Sequence, residues 1–522
     1  MRSVTHILTL WNKAKPLIQE GYRVLEKDII LGLPAASMPS PSKEQDTGIG
    51  SPYGSGAERI WKFWQGIIQK IMIGPVGKTE AKTWHSPYLT TWDYNPFLID
   101  LENLVQQRLL SRTTLDEIYK HQKTEDYIDF KRVEADYNLA LKEAYKKAKT
   151  SASFSSFCNK LALEQMNSSP FSYIGDIPIN IPKRISNHHP EWFLKDWSLG
   201  APPDQYSKEP QVWGFPVLNP TALFTNNPKK PLGPAGRMFK KLLHFYLSGK
   251  INGIRLDHFI GWVDPYCFYT GKDHHSNGRL YSSPHHPLLK EYYIKDCTQF
   301  NRMAESFLLP LFEEFKLTNM DIYPEDLGVR PPQMDAILAN FHLGRMLPVQ
   351  FDEPNNPEHI YHLTKAAEQD IAVLDTHDSP NLLEFFTSLS MEKRCLYAKQ
   401  LAKDLRFNYT EDLCDPVWLY RMQWAAALAS PARRISVFFT SLMGQTGRYN
   451  IPGALDSWHL RCRTHFDLEY FLALRQRRAY NPFEAIYFAI YARGNDFYHK
   501  HKDLVQKLHT AEQQFFKALQ QL

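Results

Sequence analysis

Three acidic residues in this sequence stand where carboxylates could do chemistry together: Asp257 in GIRLDHF, Glu325 in DIYPEDLG and Asp378 in LDTHDSPN. Breaking a glycosidic bond needs two carboxyl groups with proton affinities pushed apart, one ionised to attack the anomeric carbon and one protonated to serve the leaving oxygen. Side chains alternate along a strand, so Arg255 shares a face with Asp257, and its guanidinium is expected to lower the aspartate's pKa and keep it ionised. Tyr323 shares a face with Glu325 in the same way, and partial burial there is expected to raise the glutamate's pKa. Each fragment also has a structural reading. An isolated R-x-D is an ion pair, Glu325 follows a turn, and Asp378 or Ser379 is placed to cap a helix with Pro380 in its first turn. What favours chemistry is their order, at the ends of successive strands.

Carboxylates so far apart in the chain can meet only if those strand ends share one mouth. The second half supplies the elements: strands INGIRLD (251–257), MDIYPED (320–326), RMLPVQF (345–351), DIAVLDTHD (370–378) and RRISVFFTSL. Between them lie helical patterns, FNRMAESFLLPLFEEF (300–315), PPQMDAILANF, PEHIYHLTKAAEQ, NLLEFFTSL and PVWLYRMQWAAALA. IAVL and ISVFF are continuously apolar, as parallel strands covered on both faces are. This rhythm predicts an α/β fold, a (β/α)8 TIM barrel with helical and loop insertions and no separate C-terminal β-domain. Residues 7–27 read as a helix, 28–58 as a Gly/Pro/Ser-rich loop, 101–170 as a mostly helical insertion, and 464–522 as a helical C-terminal segment. The whole chain is read as one catalytic domain, with the barrel over 30–463.

Composition narrows the function classes. The 522 residues carry a net formal charge of +5 without a basic cluster, which argues against nucleic acid. Mean hydropathy is −0.43, and no uncharged apolar run approaches the ~18 residues of a membrane span. The N-terminal stretch MRSVTHILTLWNKAKPL is soon interrupted by Lys13 and Lys15, so the expectation is a cytoplasmic protein. Six cysteines without a C-x-x-C pair read as reduced thiols. The paired histidines at 188 and 189, 274 and 275, and 285 and 286 lack a metal-ligand spacing, so no metal or cofactor is expected. The aromatic residues, 12 Trp, 27 Tyr and 31 Phe, suit both a large core and sugar-binding platforms.

GIRLDHFIGW, PEDLGVRPPQM and LDTHDSPN, with HSPYLTTWDYNPFLIDLENL, YIGDIPINI, APPDQYSKEPQVWGFPV and RYNIPG, resemble glycoside hydrolase family 77, the 4-α-glucanotransferases of the amylomaltase or disproportionating-enzyme type. The resemblance implies a retaining transfer of α-1,4-glucan segments, with maltooligosaccharides or glycogen as donor and acceptor and no cofactor. By motif matching it makes Asp257 the nucleophile, Glu325 the acid/base and Asp378 the transition-state stabiliser. By the same matching Arg255 and His377 hold Asp257 and the sugar hydroxyls at the cleavage point, His258 is a further substrate contact, and Tyr88, Gln211, Trp213 and Asn450 fall on positions that line the glucan groove. The loop at about 262–290 is a candidate lid, with Asn277 and Arg279 either sugar contacts or residues of a solvated loop. Ile260, Pro324, Ser379, Pro380, Asp93, Tyr94 and the residues near Trp458 depart from the family pattern but leave the three acids intact. Two rivals remain at this stage, an α-amylase-type hydrolase and a non-catalytic glucan-binding protein.

Overall fold

Short, mostly apolar segments form eight strands whose central residues are buried. They are β1 (Asp28–Gly32), β2 (Lys70–Met72), β3 (Tyr173–Ile177), β4 (Ile251–Leu256), β5 (Ile322–Pro324), β6 (Met346–Pro348), β7 (Ile371–Val373) and β8 (Arg434–Phe438). All neighbours pair parallel, in the order β5-β4-β3-β2-β1-β8-β7-β6, which is chain order bent into a ring. The architecture is a (β/α)8 barrel, in this computed structural model describing residues 2–80, 86–121, 123–204, 208–225, 227, 232–271, 276–331, 333–452, 454 and 457–522.

Side chains stitch the seam between β5 and β6. Asp326, fully buried just past β5, accepts the Met346 N–H at 2.9 Å and lies 3.4 Å from Arg345 Nε. Beneath it, the buried Arg434 of β8 donates to the carbonyls of Met320 and Ile322, both at 3.0 Å, and to that of Gln369. Gly344 is obligatory beside this bridge, because a Cβ there would lie 1.6 Å from the Gln369 carbonyl oxygen.

Four helices (Leu101–Gln106, Arg112–Lys120, Phe130–Ala148, Phe154–Ser168) lie between β2 and β3. The terminal segments pack together. Ile7, Trp11, Ala14, Ile18, Tyr22 and Leu25 make one buried stripe on helix Arg2–Leu25, and Trp11 meets Phe63, Tyr470 and Phe515. Among the described residues no helix is long and apolar enough to cross a membrane.

Several expectations need correction. The stretch 28–58 is not all loop, since DIILG is the first barrel strand, hidden in sequence by the Gly/Pro-rich tail behind it. PEHIYHLTKAAEQ forms turns and one short 3-10 segment, Leu363–Lys365, because His359 and His362 turn onto Asp352 instead of continuing a helix. The helix after β7 starts at Leu382 and is capped by Asn381, whose side chain accepts from the Glu384 N–H, which leaves Asp378 and Ser379 outside the cap. Cys395 and Cys414 are disulfide-bonded, a pairing made when a turn folds back on helix Met391–Asp404 and therefore invisible in their spacing; Cys158, Cys267 and Cys462 are free and buried. The proposed lid is partly a sheet. Tyr266–Tyr269 and Asn277–Arg279 join Phe193–Ala201 and Gln211–Leu218 in a four-stranded antiparallel sheet, and residues 272–275, with the histidine pair 274 and 275, lie outside the described residues.

Candidate active site

One guanidinium organises the mouth of the barrel. Arg255, 5% exposed near the end of β4, holds Asp176 at 2.7 Å and Asp257 at 3.0 Å with Nη1, and Glu325 at 2.9 Å with Nη2. Parallel pairing makes this possible. Asp176 is the register partner of Arg255, and Tyr323 of β5 is its partner on the other side, two residues before Glu325. The chain turns sharply after Asp257, with His258 at φ +45°, so that the His258 N–H donates to Glu325 Oε2 at 2.7 Å. The Phe259 N–H donates to the Glu325 carbonyl at 2.9 Å, which locks the two strand ends together. Trp262 Nε1 in turn donates to the Asp257 carbonyl at 2.9 Å.

Asp378 has partners of its own. Asn450 Nδ2 donates to its Oδ1 at 2.6 Å, His377 Nε2 lies 3.1 Å from its Oδ2, and Arg448 donates to its carbonyl at 2.8 Å. Tyr88 completes the wall. Its hydroxyl donates to Asp176 Oδ2 at 2.8 Å, and its ring stacks on His377 at 5.2 Å and 15°.

The proton affinities differ from the sequence expectation in an instructive way. Burial raises Asp257 well above the ordinary carboxylate range; Arg255 opposes this, and the nearby Glu325, Asp176 and Asp378 add to it. Burial also pushes Glu325 up, but Arg255 and the His258 N–H outweigh it, so Glu325 lies below its ordinary value. The two shifts thus run opposite to the expected directions. Pairwise reading gave Arg255 to Asp257 alone, whereas it is shared among three carboxylates, with Asp176 also raised by burial. Burial acts on Asp378 too, yet His377 and Asn450 prevail and hold it at about 2. His258 is lowered to about 4 by burial.

A cavity of about 320 Å³ opens here, with Tyr88, Asp176, Arg255, Glu325, His377 and Trp458 on its walls. Trp213, from the antiparallel sheet, meets the His258 ring edge-on at 4.8 Å, and Gln211 accepts from its indole N–H at 3.3 Å. Arg279 is engaged elsewhere. It donates to the carbonyls of Asp264, at 2.8 Å, and Val329, while Asn277 accepts from the Tyr266 hydroxyl at 2.6 Å. Asp176 and Trp458 are the site residues that the sequence reading left without a role. The signal for Asp176 was present, a carboxylate near the end of a strand in YIGDIP; for Trp458 it was limited to an altered family motif around it. Among the described residues no three His, Cys, Asp or Glu side chains are grouped to hold a metal ion.

Comparisons with known proteins point the same way. The profile of the glycoside hydrolase 77 family, described as 4-alpha-glucanotransferase, matches residues 33–166 and 159–467. A 4-alpha-glucanotransferase of Thermus thermophilus is 26% identical over 297 residues, 54% of this chain and 51% of that protein. The chain therefore spans about half the length of that relative. One from Synechocystis is 23% identical over 79% of the chain and 90% of its own length. The amylomaltase from Streptococcus agalactiae, solved in complex with acarbose, shares the fold with a TM-score of 0.66 at 17% identity, covering 90% of this chain and 100% of that one. The amylomaltase from Corynebacterium glutamicum aligns with a TM-score of 0.64 at 16% identity, over 93% of this chain and 76% of that one.

Proposed function

The chain belongs to glycoside hydrolase family 77, and from this we propose that it is a 4-α-glucanotransferase, moving α-1,4-glucan segments between maltooligosaccharides or glycogen. The observation that carries the reading is Arg255, which holds Asp257 and Glu325 on its two terminal nitrogens at the mouth of a barrel. In this reading Asp257 attacks the anomeric carbon while Glu325 protonates the departing oxygen, leaving a β-glucosyl ester on Asp257. Glu325 then takes the proton of an incoming 4-hydroxyl, and the second displacement restores the α configuration.

Arg255 touches Asp257, Glu325 and Asp176 at once, so the charge of each carboxyl is set by the whole cluster rather than by one pair. Asp378 stays ionised and accepts hydrogen bonds from sugar hydroxyls, oriented by Asn450 and His377. The described part of the 262–290 segment, with Trp213 beside His258, forms the acceptor-side wall that keeps water from the ester. We read the barrel, its helical insertion and the C-terminal helices as one catalytic unit working in the cytoplasm.

Incubation with pure maltotriose tests the reading. Transfer yields a ladder of longer and shorter oligosaccharides with constant reducing ends, and both Asp257→Asn and Glu325→Gln abolish it. A steady rise in reducing ends means hydrolysis, and an Asp257→Asn protein as fast as the parent removes the assignment.

A further inference from the structure

Trp458 sits in a backbone conformation that a bulky side chain does not adopt unaided, φ +70°. Two sets of contacts hold it there. Its own N–H donates to the Tyr449 carbonyl at 2.7 Å. The next residues are zipped to the helical insertion: the Ile128 N–H donates to the His459 carbonyl at 2.8 Å, Tyr127 pairs with Leu460 in an isolated antiparallel bridge, and the Arg461 N–H donates to the Asp126 carbonyl at 2.8 Å. The Tyr127 ring also packs edge-on against His459 at 4.9 Å.

This bracing places an indole on the wall of the cavity that holds Arg255 and Glu325. The ring lies 5.6 Å from Tyr88 and 5.9 Å from His377, with Tyr449 edge-on behind it at 5.5 Å, and it stays partly exposed. Strain of this kind persists only where surrounding contacts over-determine it, and here its effect is to present an aromatic surface beside the acids. The same cavity continues along Phe97, Phe130 and Glu134, the last two on the insertion helix Phe130–Ala148. The walls therefore lead away from the acids along the insertion.

We propose that Trp458 is the stacking platform for a glucose unit next to the cleaved bond, and that segment 126–128 of the insertion is the brace that keeps it in place. The proposal rests on the glucan-transfer reading and names a binding residue for it. Its test compares Trp458→Leu, Trp458→Phe and Trp458→Gly in steady-state transfer with maltotriose. Losing the ring raises KM about tenfold in the Leu and Gly variants and lowers kcat by much less, and Phe recovers most of the loss. The Gly variant separates binding from folding: glycine accepts φ +70° freely, so its Tm stays at or above that of the Leu variant while its KM is equally poor.

Titration of maltoheptaose into Asp257→Asn, with and without Trp458→Leu, measures binding without turnover and is expected to show about a tenfold difference in Kd. Equal KM and equal Kd with and without the ring overturn the proposal. A parent that transfers nothing, yet binds maltoheptaose through Trp458, refutes the transferase reading and leaves the platform standing.

Discussion

Asp375 offers a direct measurement of how strongly burial governs this site. It follows β7 two residues before His377, is 3% exposed, and ties the strand to its neighbour: Oδ1 accepts the Phe438 N–H at 2.8 Å and Oδ2 accepts the Ser441 hydroxyl at 2.6 Å. Burial drives its pKa up to about 7, the two hydrogen bonds opposing it only in part. An unfolded aspartate titrates near 3.9, so between about pH 4 and pH 7 the native chain keeps a proton that the unfolded chain has released. Stability is therefore lost as the pH rises through that window and is level above it, the sign expected of a carboxyl whose folded pKa is raised. About three pKa units at ~1.4 kcal/mol each give about 4 kcal/mol. Asparagine has the same shape and does not titrate. With an unfolding entropy of ~2 cal/mol/K per residue, 522 residues make about 1.1 kcal/mol/K, so 4 kcal/mol corresponds to a Tm difference of about 4 °C. Thermal unfolding of the parent and Asp375→Asn, followed by circular dichroism from pH 4 to pH 8.5, should show the variant gaining about 4 °C on the parent between pH 4 and 7 and nothing beyond. A constant gap across the series would mean that Asp375 is ionised in the native protein, and the argument from burial would fail.

Two further outcomes follow from single side chains. Asn450→Ala removes the 2.6 Å donor to Asp378 and leaves His377 as its side-chain partner, so kcat/KM on maltotriose should fall about ten- to hundredfold with Tm nearly unchanged; an unaltered kcat/KM would show that Asp378 needs no such orientation. Asp326→Ala leaves Arg345 and Arg330 facing a void at the β5/β6 seam and strands the Met346 N–H, a loss of about 3–5 kcal/mol. Its Tm should drop by roughly 3–5 °C, and a variant as stable as the parent would show that the barrel closes without this carboxylate.

The acids that follow three of the barrel strands, the alternation of strand with helix, and the helical character of 101–170 and 464–522 are local properties of the sequence. Period-two alternation suggests which residues share a face, and an apolar run marks roughly where a strand lies, so Asp257, Glu325 and Asp378 could be picked out as candidates from the chain alone, although the strand before Asp378 ends earlier than expected, at Val373. What escaped the sequence depends on residues that meet only across elements. Asp176 acquires its place through the register of β3 against β4, Cys395 finds Cys414 through a turn packed on a helix, and the first strand hides in a loop-like stretch because its partners lie at 70–72 and 434–438. The directions of the Asp257 and Glu325 shifts were read from one pair of charges, yet they are decided by burial and by how many carboxylates share one arginine. Trp458 is the extreme case, since the residues that follow it pair with a segment more than three hundred residues away in the chain, a contact that local sequence does not carry.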